Sequence, residues 1–332
     1  MTFPDNKLTV RSPADLVAVV PYLLGFRPAE GSIVVLANRD HRVVFAARGD
    51  LPAPDAPAHE VLGLAAHMLP IVCRQKPITD IVTIGYGNPE HVDAALHAVG
   101  EVLTAGDLSV RALLRVTGSR VVNLSCDEPT CCPPQGIAFD ATASLLAVQA
   151  TAAGLVALPD RAAVAARFAP VTGAARDAIG HAADSALARF KTLSAAGGAA
   201  VDVAGAHALR DALRQPDRRL TDDELAWLTL LLTRASVRDL AVELTQPHDP
   251  HVTFWAEITR RAHEPLVPAP ATLLAIAAWR CGDGALAAMA AERALQVDPA
   301  YHLADLLLQA LRAGLPPSTF DQDTGRANPA TP

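Results

Sequence analysis

The secondary-structure pattern of the chain changes near residue 139, and this change constrains the fold more than any other feature. Before it, short β-rich runs at 33–37 and 42–48 are followed by a helical pattern over 61–72 and a further apolar run at 80–86. After it, the pattern is helical and rich in alanine and leucine. The sequence therefore predicts an α/β domain, with a mixed, partly parallel sheet and flanking helices, followed by an all-α helical domain.

Strand and helix patterns alternate twice in the first part of the chain. The run 42–48, the run 80–86 and the run 108–116 are each separated by a helical stretch, which predicts at least three strands that run in the same direction, joined by right-handed crossovers. The runs 33–37 and 42–48 read as a β-hairpin. We expect hairpin partners of this kind at the edges of the sheet.

The length of 332 residues suits about two domains. We predict an α/β domain over 1–138 that ends in a cysteine-rich loop, a helical domain over 139–315, and a disordered tail over 316–332. Small residues and a terminal proline at tetratricopeptide spacing predict one repeat-like helix pair near the C-terminus, with a third helix covering it, over 271–312. The alternative is a plain α-hairpin in a helical bundle.

The carboxyl ends of the predicted parallel strands form the expected position of a ligand site. The ligand-binding candidates there are Arg48, Asp50, Tyr86, Gly87 and Asn88. Glycines and a capping asparagine at a strand-to-helix turn can offer backbone N–H groups to a small anion. The alternative, which the sequence favours, is that the glycines only permit the turn and that Arg48 pairs with Asp50 to fix the strand end. The turn lacks the further glycine and acidic residue of a dinucleotide fingerprint.

Three of the five cysteines lie in one short loop. Cys126, Cys131 and Cys132 are therefore candidates for a metal or redox site. Three roles are open to them: the thiols bind a zinc ion, two of them form a disulfide or redox switch, or all three are buried structural residues in a proline-braced turn. Zinc is the cofactor that this loop could hold, and the sequence predicts no other.

The spacing of the loop sets limits on each of these roles. Adjacent residues such as Cys131 and Cys132 rarely both reach one ion, so the loop predicts two zinc ligands, or at most three, with a remote fourth. Asp127 and Glu128 stand beside the thiols and should disfavour a thiolate. Histidine is absent from the neighbouring sequence, so a catalytic cysteine would have no local base.

Charge and hydropathy exclude some classes of function. The net charge of −7 argues against a nucleic-acid-binding protein whose affinity comes from phosphate neutralisation. The chain shows neither a secretory signal pattern nor an apolar run long enough to cross a bilayer. We therefore expect a cytoplasmic protein with reduced thiols. The composition, with arginine far outnumbering lysine and abundant alanine, is typical of a GC-rich bacterial genome.

Three stretches of the chain, at 12–28, 126–136 and 279–314, match a pattern seen in one family. The first contains Ser12-Pro13 and Gly25-Phe26, the second is the cysteine loop, and the third contains Gly282-Asp283-Gly284. Together they resemble the actinobacterial domain-of-unknown-function family numbered 4192. The resemblance covers nearly the whole chain and implies no activity.

Two functional hypotheses follow from these residues. In the first, the chain is a non-enzymatic cytoplasmic binding or regulatory protein that binds a small anionic ligand and, through its helical domain, a protein partner. In the second, it is a thiol- or zinc-dependent hydrolase or oxidoreductase that uses the loop from Cys126 to Cys132. Convergence of the thiols with Arg48, Asp50 and Asn88 in one cleft would favour the enzyme.

Overall fold

The computed structural model describes residues 10–40, 42–141 and 144–319. These residues divide into two compact units: those up to Ala163 together with Ala313–Leu315, and those from Val164 to Arg312. The predicted fold class is confirmed, because a mixed sheet with flanking helices is followed by a helical region. The predicted boundary between an α/β domain and a helical domain after residue 138 stays a prediction. Most of the predicted tail, 316–332, lies outside the described residues.

The first unit contains the strands and the first helices. Its strands are β1 (Ser32–Arg39), β2 (Arg42–Asp50), β3 (Asp80–Tyr86), β4 (Val110–Thr117), β5 (Arg120–Asn123) and β6 (Ile137–Ala138). Its helices are α1 (Pro13–Leu24), α2 (Ala58–Cys73), α3 (Pro89–Ala105) and α4 (Leu145–Ala152). A short helix, α5 (Arg161–Ala166), begins in this unit and ends in the second.

The second unit is built from helices in its described residues. They are α6 (Ala174–Ala195), α7 (Gly198–Arg214), α8 (Asp222–Leu231), α9 (Ala235–Leu244), α10 (Asp249–Arg261), α11 (Pro268–Arg280), α12 (Gly284–Val297) and α13 (His302–Arg312). One turn of 3-10 helix, Glu264–Leu266, precedes α11.

The described strands form one six-stranded sheet in the order β2-β1-β3-β4-β5-β6. Strand β1 is antiparallel to both β2 and β3, and β3 is parallel to β4. Strands β2, β3 and β4 therefore run in the same direction, as predicted. Strand β5 returns antiparallel to β4, and the two-residue strand β6 pairs with β5. The sequence did not predict β6, because two residues cannot carry an alternating pattern.

The predicted edge position of the hairpin is wrong for β1, which lies between β2 and β3. Its residues from Ile33 to Ala37 are fully buried, whereas β2 is mostly half-buried. A strand that is apolar on both faces buries the most surface in the interior of a sheet. The continuous apolar run of β1 is the sequence signal for this central position.

The core of the first unit lies between one face of the sheet and helices α2 and α3. Ile33 and Val35 of β1 pack there with Met68 of α2 and Val92 of α3. A Cβ atom on Gly85 of β3 would overlap the side chain of Val92. The first glycine of the predicted turn is therefore needed for the close approach of α3 to the sheet.

The predicted helix starts agree with the structure. The Ser12 hydroxyl accepts a hydrogen bond from the backbone N–H of Asp15 at 3.1 Å and caps α1. Thr221 and Glu224 form a reciprocal capping box at the start of α8. Near the C-terminus, α11 and α12 are joined through Gly282 and Asp283, and α13 follows. Their likeness to a tetratricopeptide repeat stays a prediction.

Tryptophan side chains occupy the interior of the helical unit. Trp227, Trp255 and Trp279, which are all of the tryptophans in the chain, are buried there. Trp255 is fully buried and donates a hydrogen bond from its Nε1 to the Thr245 hydroxyl at 3.0 Å. None of the described helices is both long enough and apolar enough to cross a membrane.

A buried histidine stands at the start of α10 in the same unit. The Nδ1 of His251 accepts a hydrogen bond from the backbone N–H of Gln246 at 2.7 Å, and its ring packs against His248. Burial, and secondarily the charge of His248, lowers the pKa of His251 from 6.5 to about 4. The folded helical unit therefore holds this ring in its neutral form.

We predict that His251 makes the helical unit less stable as the pH falls from 6.5 to 4. The unfolded chain takes up a proton in this range and the folded chain does not, so the free energy of unfolding falls by roughly 3 kcal/mol by pH 4. In a His251→Gln variant this part of the pH dependence disappears. Urea unfolding, followed by tryptophan fluorescence at several pH values, gives the slope of the unfolding free energy against pH for the wild-type protein and for the variant. The control is His181→Gln, an exposed position on α6, and equal slopes for all three proteins would contradict the prediction.

Candidate functional site

The cysteine loop leaves the sheet at the end of β5 and returns to it at β6. Beyond β5, the backbone N–H of Leu124 donates to the carbonyl of Leu113 at 2.8 Å, and the Ser125 hydroxyl accepts from the N–H of Leu113 at 3.0 Å. These bonds extend the pairing of β5 with β4. The loop therefore begins from a backbone that is fixed to the sheet.

A turn centred on Glu128 brings the three cysteines together. The carbonyl of Glu128 accepts hydrogen bonds from the backbone N–H groups of Cys131, at 3.3 Å, and Cys132, at 2.8 Å. The Glu128 carboxylate accepts a bond from the Thr130 hydroxyl at 2.8 Å. This turn folds the second half of the loop back toward Cys126.

Gly136 closes the loop at its other end. Its N–H donates to the carbonyl of Pro133 at 2.8 Å, and its φ of 76° lies in the left-handed region. A Cβ atom there would stand 2.9 Å from the carbonyl oxygen of Val121. Both the conformation and the space therefore favour glycine at this position.

The three sulfur atoms form a compact triangle. The Sγ atoms of Cys126 and Cys131 are 3.6 Å apart, and those of Cys131 and Cys132 are 3.7 Å apart. All three sulfur atoms lie within 4.8 Å of one another. Among the described residues, this is the group of potential metal-ligand atoms that are close enough to share an ion. The expectation that adjacent Cys131 and Cys132 rarely both reach one ion stays a prediction, although the turn at Glu128 brings both of their sulfurs close to that of Cys126.

The electrostatic environment differs among the thiols. A hydrogen bond from the backbone of Glu128, followed by those from Cys132 and Cys131, lowers the pKa of Cys126, and these outweigh the opposing charge of Asp127. The charge of Asp127 opposes the Cys126 thiolate, as expected, but its effect on the pKa is smaller than that of the hydrogen bonds. The hydrogen bond between Cys132 and Cys126, together with burial, raises the pKa of Cys132 to about 11. The Cys126 sulfur is thus the one whose ionisation the loop promotes.

The thiols are accessible to solvent. Cys131 is exposed, and Cys126 and Cys132 are half-buried. A purely structural role for three buried cysteines does not fit this exposure. The Asn123 side chain lies 3.8 Å from the Cys132 sulfur, so the end of β5 contributes a polar contact to the group.

The carboxyl ends of β2, β3 and β4 meet at one end of the sheet, as predicted. Ser32, the first residue of β1, pairs with Asp50 of β2 on one side and Tyr86 of β3 on the other. Tyr86 in turn pairs with Val116 of β4. The structure therefore brings the predicted ligand residues to one end of the sheet, although their role in binding a ligand stays a prediction.

The polar groups at this end of the sheet bind one another. Arg48 forms an ion pair with Asp50 at 2.6 Å and donates two hydrogen bonds to the Ser32 hydroxyl, at 3.2 and 2.8 Å. The N–H of Gly87 donates to the carbonyl of Val116 at 2.9 Å. These contacts match the alternative in which Arg48 and Asp50 fix the strand end.

Two further candidates at this end show different environments. The Tyr86 hydroxyl is buried and has no hydrogen-bond partner among the described residues, and burial raises the pKa of Tyr86. The Asn88 side chain does not cap α3, although its carbonyl accepts the first hydrogen bonds of that helix.

Sequence reasoning missed several polar residues of the first unit. Arg115 of β4 and Asp93 of α3 form an ion pair at 2.5 Å, and both side chains are partly buried. The available signal was the presence of two charged residues, Arg111 and Arg115, within strand β4. A cavity of about 590 Å³ was also missed; it lies at the amino ends of β3 and β4, where Lys76, Asp80 and Asp107 contribute to its lining.

The thiols and the predicted ligand residues do not converge. Strand β5 starts opposite Thr117, at the carboxyl end of β4, and its last residue Asn123 pairs with Leu114. The cysteine loop therefore leaves β5 away from the end that carries Arg48, Asp50 and Asn88. The chain therefore has two separate groups of candidate functional residues, the thiol triangle and the polar residues at the end of the sheet. The thiol triangle is the group whose potential metal-ligand atoms face a common centre.

These observations define a class of protein in which an α/β unit with a solvent-accessible thiol triangle is followed by a helical unit. The chain belongs to the family described as Domain of unknown function (DUF4192), whose model matches residues 13–318. The resemblance inferred from the sequence is therefore confirmed. No curated protein and no solved structure matches the chain.

We predict that Cys126 reacts with iodoacetamide faster than Cys132 near neutral pH, because the thiolate is the reactive form and its formation is favoured at Cys126. The protein is first stripped of metal with a chelator. Cleavage after Glu128 separates Cys126 from the two later cysteines of the loop, and fragmentation of the second peptide in the mass spectrometer distinguishes label on Cys132 from label on Cys131. Cys281, whose pKa burial raises to about 11, is the slow internal reference. Faster labelling of Cys132 or Cys281 than of Cys126 would contradict this prediction.

Proposed function

We propose that this protein is a metal-binding protein that holds zinc through Cys126, Cys131 and Cys132. The observation that carries the proposal is the size of the sulfur triangle. Zinc–sulfur bonds of about 2.3 Å in a tetrahedral site give sulfur–sulfur distances of about 3.8 Å. Two of the distances in the triangle are 3.6 and 3.7 Å. An ion at the centre of this face needs only small shifts of the side chains.

The charges of the loop support the same proposal. Three thiols this close cannot all ionise without a counter-charge, because like charges repel and raise each other's pKa values. The opposite directions of the pKa shifts at Cys126 and Cys132 reflect this coupling. A divalent ion removes the repulsion, and its binding releases the thiol protons.

Three thiolates leave one tetrahedral position for another ligand. A remote side chain, a solvent molecule or a bound molecule can fill it. Structural zinc sites use four protein ligands, whereas catalytic sites keep one position open. A thiol- or zinc-dependent hydrolase or oxidoreductase is therefore the second candidate function, and the exposure of Cys131 favours it.

The proposal includes the location and partners expected from the sequence. A cytoplasmic location suits the site, because three thiolates hold an ion only while they stay reduced. In this proposal the protein has a binding or regulatory role in which its helical domain contacts a protein partner. A small anion at Arg48, Asp50, Tyr86, Gly87 and Asn88 is a weaker part of the proposal, since Arg48 and Asp50 already bind each other.

We predict that the protein purified without chelator or metal-affinity resin contains nearly one zinc ion per chain. Replacing Cys126, Cys131 and Cys132 together by serine removes it, because serine does not supply a soft thiolate ligand. Mass-spectrometric metal analysis against protein concentration measures the content, and the sulfur-to-metal charge-transfer band of a cobalt-substituted sample tests the ligand type.

The matched control is the double variant Cys73→Ser/Cys281→Ser, which removes the two cysteines outside the loop. It should retain the zinc and the cobalt spectrum. Zinc that survives in the triple variant, or that disappears in the double variant, would place the metal elsewhere. Metal-free wild-type protein that also fails to bind added zinc or cobalt would refute the proposal.

A further inference from the structure

Arginine side chains converge on a small cavity in the helical unit, far along the chain from the cysteine loop. The cavity has a volume of about 30 Å³. The residues with ionisable side chains in its lining are Arg176, Arg260, His263, Glu264 and Arg293. This group was not singled out by the sequence patterns, because its members come from separate helices and a connecting loop.

The backbone and one ion pair assemble the walls of the cavity. The N–H of Val171, in the segment before α6, donates to the carbonyl of Arg260 on α10 at 3.0 Å. Arg176, in the first turn of α6, forms an ion pair with Glu264 at 2.8 Å. Helix α12 supplies Arg293. The cavity is thus bounded by elements of a single unit.

The arginines that line the cavity differ in their partners. Arg176 forms an ion pair with Glu264. Arg260 forms one with Glu257 at 3.1 Å, but Arg219 and Arg261 pair with the same carboxylate, at 3.6 and 3.7 Å. Arg293 has no ion-pair partner among the described residues, and its Nε is buried without a hydrogen bond. Arg293 is itself half-buried. A guanidinium group that is partly removed from water and unpaired is stabilised strongly by an anion.

The size of the cavity selects the kind of anion. A volume near 30 Å³ is small, because a cavity needs about 10–15 Å³ to hold one water molecule. It accepts the two oxygens of a carboxylate more readily than the four oxygens of a phosphate. The two terminal Nη groups of an arginine also form a planar fork that matches a carboxylate.

We propose that this cavity binds the carboxylate group of a ligand, and that Arg293 forms the paired hydrogen bonds to it. The carboxylate belongs either to a small organic acid or to the end of a peptide chain. Arg176 and Arg260 line the same cavity. This site is independent of the proposed zinc site, so either can fail without the other.

The first experiment follows the side-chain Nε–H signal of Arg293 by NMR in the full chain. Its assignment comes from its loss in an Arg293→Lys variant. Sodium acetate is the probe, with sodium chloride and sodium phosphate as comparisons at constant ionic strength, since salt screens any exposed charge. We expect acetate to shift the signal in a saturable way, and we expect phosphate and chloride to bind more weakly.

Substitutions of Arg293 distinguish the contribution of its planar pair of hydrogen bonds from the contribution of its positive charge. The Arg293 variants lack the Arg293 signal, so acetate binding to them is followed by the backbone N–H signal of Val171, which also lines the cavity. Arg293→Met should weaken acetate binding by roughly tenfold or more, as expected for the loss of a charge-assisted pair of hydrogen bonds. Arg293→Lys keeps the charge without the fork and should also bind less tightly. The matched control is Arg210→Met, which removes an exposed arginine of α7 that does not line the cavity. If Arg293→Met does not fold, Arg293→Lys decides the result.

Two dipeptides with blocked N-termini distinguish a chain end from a small organic acid as the source of the carboxylate. One has a free C-terminal carboxylate, and the other has the same sequence with a C-terminal amide. Tighter binding of the free-acid dipeptide than of acetate assigns the site to a chain end, and binding of acetate alone assigns it to a small organic acid. Equal binding of acid and amide, tighter binding of phosphate than of acetate, or unchanged binding in both Arg293 variants would overturn the proposal.

Discussion

The α/β unit depends on strand β1 being paired along both of its edges. Its backbone groups bond to β2 on one side and to β3 on the other, and its side chains from Ile33 to Ala37 are fully buried. Because one strand fixes the register of both neighbours, Asp50 and Tyr86 are held opposite the same residue, Ser32. The positions of the polar groups at that end of the sheet follow from this pairing, and so does the internal bonding of Arg48 with Asp50 and Ser32.

The cysteine loop shows how a few backbone bonds can create a chemical site on an otherwise simple sheet. The sheet fixes the start of the loop through Leu124 and Ser125, and the carbonyl of Glu128 turns the chain so that three sulfurs face one another. The site requires no deep pocket, since its ligand atoms are close and partly exposed. It is also distant in topology from the ends of the parallel strands, where open sheets commonly bind their ligands.

Local patterns allowed much of the fold to be predicted, and non-local packing explains what was missed. Ser12 with Pro13, and Thr221 with Glu224, mark helix starts because capping involves neighbouring residues. The predicted position of β1 at the edge of the sheet was wrong because the choice of pairing partners depends on the burial of both faces of the strand. A hairpin signal in the sequence does not report that burial. The cysteines were recognised as candidates from their crowding, but the mutual approach of their sulfurs depends on the turn at Glu128. The cavity around Arg293 left no sequence signal, since each of its arginines is an ordinary helix-surface residue when taken alone.

The closure of the cysteine loop at Gly136 has a consequence for how this chain can vary. The loop is attached to the sheet at both ends: Ser125 bonds to Leu113 at its start, and Gly136 packs against the backbone of Val121 at its end. An insertion or deletion between these points would separate the sulfurs before it disturbed the strands. Among descendants of this sequence that keep the thiol triangle, the loop should therefore tolerate substitutions at exposed positions such as Thr130 but conserve its length.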